Sequence, residues 1–417
     1  MPAPNPPLTL KHRVKSALAF VLGHAAAALL AAAGRLWRLR VWHLRDDRIG
    51  HLVGDTDLFL RRRELGEIEP GIRILGFSGK PCNAAIVNVF ARQFRILRGP
   101  VVSWLYRLVE PYLERTGFVI ASTTRTTEYR EFAATLPLLR LTPEEEARGR
   151  AELAKMGIGE NDWWVCFHAR DAEYLGEQRG ARFAYHSFRN HDIANMVPAM
   201  EFIAANGGFA IRLGSAVERH LAVADNPRII DYAAGLRSDF MDLYLPARCR
   251  FFVGSTSGLF HIAKAFGVPY LMTNLIGYTH MSPQPNSLFV PKRVFGRNGA
   301  ALDFDECAAR GMFDPTASLS YFQGSRFADA GIEVVENSAE EILDAIEDMM
   351  DLVAGRPVDP DVAAKQRLFK ERYYAQSADR HDAGSLAPSF IRRHWADLGP
   401  ATIPTHRTAA PTAGGRT

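Results

Sequence analysis

A run of small and hydroxyl-bearing residues at 254–258 follows an apolar, β-branched stretch in the segment FFVGSTSGLFHIAKAFGVP. This pattern is typical of a strand that ends in a tight turn before a helix. Backbone N–H groups at a helix start are unpaired and lie at the positive end of the helix dipole, so they can hold phosphate oxygens. The candidate phosphate ligands are Ser255, Thr256, Ser257 and Gly258. The alternative is a capped turn without a ligand, because the segment lacks both the GxGxxG pattern and the lysine of a P-loop.

Two arginines follow other predicted strands, Arg170 in FHARD and Arg212 in IRLGS. A guanidinium offers paired donors and keeps its charge, which suits a diphosphate. Parallel α/β sheets bind ligands at the carboxyl ends of their strands, where Gly214 and Asn274 are also expected. We therefore expect these four residues and the turn at 254–258 to bind a nucleotide or another phosphorylated ligand. The alternative for each arginine alone is a surface ion pair.

Three titratable residues are candidates for a general base, namely His51, His168 and Asp171. An imidazole, or a carboxylate paired with one, can remove a proton from a hydroxyl group near neutral pH. The alternative for His168 is a strand-end histidine that is hydrogen-bonded to the backbone.

Acceptor contacts are expected from both halves of the chain. Gly50 is placed to open a helix, which would leave Arg48 and His51 at its mouth. Arg189 and Asn190 fall in a polar stretch between residues 171 and 192 that is too long for an ordinary connection. It is predicted to be a lid, and the alternative is a flexible charged loop.

No metal site and no cofactor are expected. The DxD pattern at 55–57 recurs at 303–305 and 359–361, so it carries little information about a cation site. The four cysteines are widely separated and form no CxxC motif, which favours free thiols in a reducing compartment.

The positive charge is concentrated at the start of the chain. Residues before 51 contain eight Lys and Arg against two Asp, although the net charge of the whole chain is only +4. The excess flanks an apolar segment at 17–33 and does not form a basic stripe in the main body, so no nucleic-acid partner is expected. The segment is short and Ala-rich for a membrane span. Two interpretations remain: a helix on the inner leaflet, with Trp37 and Trp42 near the headgroups, or a helix packed on the first domain.

Apolar runs alternate with amphipathic stretches from residue 39 onward, which predicts βα units and parallel sheets. The first half should contain strands near 39–44, 71–77, 94–97 and 118–121. Five more strands are predicted near 163–168, 209–213, 228–231, 250–253 and 268–272. The predicted division is an N-terminal helical segment (1–38), two α/β domains (39–145 and 146–355), a C-terminal helical extension (356–398) and a disordered tail (399–417).

Several segments in order resemble the glycosyltransferases of bacterial surface-polysaccharide gene clusters, over about residues 45–350. These segments are RIGHL, FHARD, FRNHDI, AIRLGS, IIDYA, SDFMDLYLPARCRFFVGSTSGL, FGVPYLMTN and VENSAEEI. The resemblance implies the GT-B architecture, in which two Rossmann-like, doubly wound domains face a cleft. It also implies that the second domain holds a nucleotide sugar and that the acceptor approaches from the first. FHARD is similar to the His-x-Arg element of GT-B fucosyltransferases, which implies a diphosphate contact for Arg170, although Asp171 departs from that pattern.

The function expected from these features is transfer of a sugar from a nucleotide-sugar donor to a hydroxyl of a glycan or lipid-linked acceptor in surface polysaccharide biosynthesis. The expected location is the cytoplasm, with a possible peripheral site at the inner membrane. Two alternatives stay open: a sugar-phosphate epimerase or other nucleotide-sugar enzyme, and a non-catalytic protein that binds nucleotide sugars or glycans.

Overall fold

The computed structural model describes residues 10–120, 128–170, 191–214, 221, 225–276, 283–313, 327, 329–373 and 383–399. For residues 10–20, 22 and 115 it describes the backbone alone.

The first unit is a four-stranded parallel sheet in the order β3-β2-β1-β4. Its strands are β1 (Leu39–Trp42), β2 (Arg73–Ser78), β3 (Arg95–Arg98) and β4 (Val119–Ile120). Its helices are α1 (Leu10–Leu36), α2 (Ile49–Glu64), α3 (Ala84–Phe90), α4 (Pro100–Leu113) and α5 (Tyr129–Ala134). The four strands predicted for this half are confirmed, and the strand order is that of a doubly wound sheet.

The second unit is a seven-stranded parallel sheet in the order β13-β10-β9-β8-β5-β6-β7. Its strands are β5 (Trp164–His168), β6 (Phe209–Arg212), β7 (Ile229–Ile230), β8 (Phe251–Gly254), β9 (Tyr270–Leu275), β10 (Ser287–Pro291) and β13 (Ser385–Leu386). An antiparallel pair, β11 (Arg293–Phe295) and β12 (Glu333–Val335), lies beside it. The five predicted strands, β5 to β9, are confirmed, as is the α/β class with two Rossmann-like units.

Eight helices accompany the second sheet in the described part of the chain. They are α6 (Pro143–Lys155), α7 (Val197–Ala205), α8 (Asp239–Arg248), α9 (Phe260–Phe266), α10 (Phe304–Ala309), α11 (Ala339–Val353), α12 (Pro360–Tyr373) and α13 (Pro388–Leu398). The start of α6 follows from local chemistry: Thr142 accepts from the N–H of Glu145, and Glu145 accepts from the N–H of Thr142. The C-terminal segment predicted as purely helical also contains β13, which extends the sheet beside β10.

Helix α1 packs on the first unit through small residues. A methyl group at Gly23 would meet the ring of Tyr112, and Ala27 and Ala31 are buried. The prediction that Trp42 lies near lipid headgroups is wrong. Trp42 is 3% exposed and stacks on Phe59 with 4.3 Å between ring centroids, because it points to the opposite face of the sheet from α1. None of the helices in the described ranges combines the length and apolarity that a membrane crossing needs.

The two units meet along α2 and α9. A methyl group at Gly50 in α2 would lie 3.2 Å from the Cα of Gly258, so the two backbones are nearly in contact. Nearby, the Lys264 ammonium lies 2.7 Å from the Glu128 carboxylate in a largely buried ion pair between the units. These contacts place the start of α2 directly beside the turn at 254–258.

Candidate functional site

The strand order of the second sheet reverses at β5, which has β6 on one side and β8 on the other. Doubly wound sheets bind ligands outside the carboxyl ends of the strands at such a reversal. His168 at the end of β5 is in register with Gly254 at the end of β8. A methyl group at Gly254 would lie 2.7 Å from the carbonyl oxygen of His168, so this close approach requires glycine. The segments FHAR and GSTSG, 86 positions apart in the sequence, therefore lie side by side.

The turn after β8 holds hydroxyl groups that no described residue satisfies. Ser255 is 0% exposed and Thr256 is 6% exposed. The hydroxyl oxygens of Ser255, Thr256 and Ser257 have no hydrogen-bond partner among the described residues. A buried polar group without a partner costs about 1–3 kcal/mol, and native structures satisfy most such groups. The turn is therefore suited to a ligand that brings acceptor atoms.

Helix α9 begins at Phe260, after an N-cap at Leu259 that has no side-chain hydrogen bond, and it has seven residues. Residues 255–258 form bends ahead of that helix. The hydroxyl groups of this turn, and not the dipole of a long helix, are therefore the groups best suited to bind a ligand.

The two candidate arginines differ in their surroundings. Arg170 is buried just beyond β5, and its carbonyl oxygen accepts a long hydrogen bond from the N–H of His191 at 3.5 Å. Arg212, the last residue of β6, is buried with its Nη1 3.3 Å from a carboxylate oxygen of Asp231. Arg212 therefore forms an ion pair at the edge of the sheet. Gly214 is buried two residues after β6.

Two other candidates in this unit make backbone contacts. The Nδ1 atom of His168 lies 3.0 Å from the carbonyl oxygen of Leu213. Asn274 has a positive φ of 53° and exchanges hydrogen bonds with Asn337: each side-chain oxygen accepts from the other residue's backbone N–H. The exchange fastens the end of β9 to the start of α11, and the Nδ2 of Asn274 has no partner among the described residues.

The first unit contributes a histidine and carboxylate pair at the start of α2. The Nδ1 of His51 lies 3.4 Å from the Oδ2 of Asp55, one helical turn later, and Arg45 approaches the same oxygen at 3.6 Å. Asp55 is buried, whereas His51 is about one-third exposed. Because Gly50 touches Gly258, His51 stands beside the hydroxyl-rich turn. Arg48 is the N-cap residue of α2 and lies 3.8 Å from Asp47.

The role of Asp55 next to His51 was not anticipated, because the sequence pattern pointed only to a DxD motif. The i,i+4 spacing of the two residues in a helix is the signal that could have identified the pair. The second DxD carboxylate, on Asp57, accepts from Arg61 at 3.0 Å. Burial raises the pKa of Asp57, against the opposing effects of Arg61 and Lys264. Three predicted site residues, Asp171, Arg189 and Asn190, lie outside the described residues.

A cavity of about 490 Å³ lies elsewhere, between α11 and α13. Both arginines of its lining are paired, with Arg392 3.1 Å from Asp348 and Arg393 2.5 Å from Asp344. None of the predicted site residues lines it.

Comparisons with known proteins give structural likenesses at low identity. No protein-family model matches the chain, and no curated protein matches it. Among solved structures, the chain is similar to E. coli ADP-heptose LPS heptosyltransferase II, with 13% identity, 70% of this chain and 99% of that chain covered, and a TM-score of 0.42. It is similar to the glycosyl transferase family 9 protein of Veillonella parvula, with 12% identity, coverage of 73% and 97%, and a TM-score of 0.41. A third is the glycosyltransferase SnogD from Streptomyces nogalater, with 12% identity, coverage of 75% and 98%, and a TM-score of 0.28.

Proposed function

We propose that this chain is a glycosyltransferase that moves a sugar from a nucleotide-sugar donor to a hydroxyl of a glycan or lipid-linked acceptor in surface polysaccharide biosynthesis. The observation that supports this most is the juxtaposition of two groups at the strand reversal. Buried hydroxyls at 255–257 need acceptor atoms, and His51 with Asp55 stands on the opposite side of the same contact.

The donor is proposed to bind on the second unit. Phosphate oxygens would accept from the hydroxyls of Ser255, Thr256 and Ser257, and Gly258 and Gly214 would allow close backbone approach. Arg170 would offset the charge that grows on the leaving diphosphate. Arg212 is proposed as a second ligand of the donor, although its Nη1 is already directed at Asp231. Asn274 would offer its Nδ2.

In the proposed transfer step, a base removes the proton of the acceptor hydroxyl and a nucleoside diphosphate leaves. The acceptor oxygen attacks the anomeric carbon as the bond from that carbon to the diphosphate oxygen breaks. The hydroxyl proton passes to the base, and the bonding electrons leave with the nucleoside diphosphate. We favour His51 as this base over His168, because Asp55 can hold its ring and stabilise the imidazolium that forms. His168 is held to the Leu213 carbonyl at the sheet edge, and Asp171 stays a candidate without described geometry.

The remaining parts of the proposal concern the acceptor and location. Arg48 and His51, together with Arg189 and Asn190 of the predicted lid, are proposed to contact the acceptor. The protein is proposed to act in the cytoplasm, with its N-terminal segment at the surface of the inner membrane, where a lipid-linked acceptor would be found. No metal or cofactor is invoked.

The donor site can be tested with thermal unfolding of the full chain against a panel of UDP, GDP, ADP, dTDP and CMP sugars. A ligand that binds only the native state raises the unfolding temperature by mass action. We expect one nucleotide class to do so, and the double variant S255A/T256V to lose that shift. Ser103→Ala, a buried serine on α4, is the matched control and should keep it. A full shift in the double variant would refute the donor site.

The base is tested in the transfer reaction with the donor identified by that screen. His51→Gln should lower kcat by about 10²–10⁴-fold while the donor-induced thermal shift is kept. Asp55→Asn should lower kcat less and alter the pH profile, because it removes the group that holds His51. Unchanged kcat in His51→Gln would exclude this base. Release of an isomerised sugar without any acceptor would favour the epimerase, and binding without turnover would favour the non-catalytic protein.

A further inference from the structure

The exposed large apolar side chains of the described residues are concentrated on one part of the first unit. Nine of the twelve lie on α1, directly after it, or on α4. They are Val21, Leu29, Leu30, Leu36, Trp37, Val101, Trp104, Leu105 and Leu108. Single exposed apolar residues are normal, but a concentrated apolar patch indicates an interaction surface.

Helix α4 carries the most regular part of this surface. Val101, Trp104, Leu105 and Leu108 are each more than half exposed. Their spacing of i, i+3, i+4 and i+7 puts all four on one face of the helix. The opposite face is already used, because Tyr106 stacks on Phe77 of the sheet with 4.4 Å between ring centroids. The exposed apolar face of α4 is therefore not the face that packs the helix against its sheet.

Helices α1 and α4 lie side by side on the same face of the first sheet. Ala27 and Ala31 of α1 share a small apolar cluster with Leu113 of α4 and with Val41 of β1. Since the inner faces of both helices pack toward the sheet, their outer faces are both turned away from it. The exposed residues of α1 and α4 thus belong to one two-helix surface.

The charges around this surface indicate that its partner is negatively charged. Among the described side chains of α1 and the turn after it, Arg35 and Arg38 are exposed and basic, and none is acidic. On α4, the exposed Arg107 lies beside Trp104 and Leu108 in sequence, while Glu110 is mostly buried against His43 and Tyr106. Glu69 pairs with Arg38, and Glu114 is exposed just after α4. The basic excess matches a negatively charged partner and would repel a second copy of the same surface.

We propose that the outer faces of α1 and α4 form a single docking surface for an anionic lipid bilayer. Trp104, Leu105 and Leu108 would enter the boundary between headgroups and acyl chains, and the surrounding Lys and Arg would bind the headgroups. This inference rests on the proposed association with the inner membrane, and it assigns the contact to α4, a helix for which the sequence suggested no such role.

The position of α4 relates the docking surface to the candidate site. The helix begins directly after β3 at the carboxyl edge of the first sheet. Arg107 lies 3.9 Å from Asp46, which accepts hydrogen bonds from Ser78 and from the N–H of Gly79 at the same edge. A bilayer on this surface would therefore lie next to the edge from which the acceptor is proposed to approach.

The test is sedimentation of the full chain with two kinds of vesicle, one of phosphatidylethanolamine with 30% phosphatidylglycerol and one of phosphatidylcholine alone. The wild type should bind the anionic vesicles. The double variant W104S/L108S should lower the partition coefficient at least about tenfold, and Arg107→Gln should lower it only on the anionic vesicles. The matched control is L136S/L236S, which removes two leucines of similar exposure on other parts of the chain and should bind as the wild type does.

The inference would be overturned by no binding of the wild type to either vesicle, by equal binding of W104S/L108S and wild type, or by equal loss in L136S/L236S. A lipid-free dimer that W104S/L108S abolishes would assign the surface to a second copy instead. The thermal unfolding of each variant checks that it is folded. Because neither vesicle contains donor or acceptor, loss of the proposed transferase activity and loss of docking would be seen separately.

Discussion

The two units differ in the polar groups that they bury near the contact between α2 and α9. On α2 of the first unit they are the carboxylates of Asp55 and Asp57, which pair with His51 and Arg61. At the edge of the second unit, they include the hydroxyls of Ser255, Thr256 and Thr273. Carboxylates can only accept, whereas hydroxyls can donate.

This difference indicates which ligand groups each unit can bind. The hydroxyls of the second unit can donate to acceptor oxygens such as those of a diphosphate. The carboxylates of the first unit are already paired, and that of Asp55 can hold the ring of His51 in place. The proposed donor site therefore matches the hydroxyls of the second unit, independently of the role proposed for His51.

The combined effect of burial and of the carboxylates at the first edge should be measurable at Cys82. Although part of this residue is exposed, burial of the thiol, with Asp46 and Asp47 nearby, raises its pKa to about 12. Since the thiolate is the reactive form, alkylation of Cys82 at pH 8 should be at least about a hundredfold slower than that of free cysteine, whose pKa is about 8.5. The rate should rise about tenfold per pH unit.

Peptide mapping by mass spectrometry after timed iodoacetamide treatment would give that rate. Asp47→Asn should increase it, because one of the carboxylates that disfavour the thiolate is removed. An unchanged rate in Asp47→Asn would contradict a contribution of the carboxylates at this edge.

The close contact at the second edge should be sensitive to a single methyl group. Gly254→Ala forces a Cβ against the carbonyl oxygen of His168, and we expect it to lower the free energy of unfolding by about 1–3 kcal/mol. Gly235→Ala is the matched control, because a methyl group there would have no atom within 4 Å, and it should change stability by less than about 0.5 kcal/mol. Urea unfolding measures both, and equal effects would argue against the close approach.

The smallest predicted effect is a gain in the stability of the ligand-free protein, on substitution of Thr256. Thr256→Val keeps the shape of the side chain and removes a buried hydroxyl without a partner among the described residues. We therefore expect the ligand-free protein to gain up to about 1 kcal/mol in stability, while stabilisation by the nucleotide falls. The same urea titration, with and without the nucleotide, separates the two effects. A loss of stability in the ligand-free protein would show that the hydroxyl has a structural role.

Sequence reasoning worked best where a local rule decides the structure. Thr142, Pro143 and Glu145 specify the start of α6, and the long buried runs of β5 and β8 are visible as continuous apolar segments. It missed β10 and β13, which lie beyond the alternating strand and helix pattern of the second unit, and β13 has only two residues and so no periodicity of its own.

The site was predictable in part for the same reason. The local patterns predicted parallel strands, and parallel strands end at the same edge of a sheet. His168 and the turn at 254–258 were therefore expected at one edge. Residue environments were not predictable: the ion pair of Arg212 with Asp231 and the stacking of Trp42 on Phe59 depend on packing between distant segments. His51 and Asp55 are local, but their pairing becomes meaningful only when α2 is seen against the other unit.

The meeting of Gly50 and Gly258 has a consequence for the reaction itself. At this point the two units touch through backbone atoms, with no side chain between them. The backbone of His51, the proposed base, is thereby held next to the turn that is proposed to bind the leaving group. If that proposal is right, the main chains on either side of the reaction would keep the same spacing from one turnover to the next.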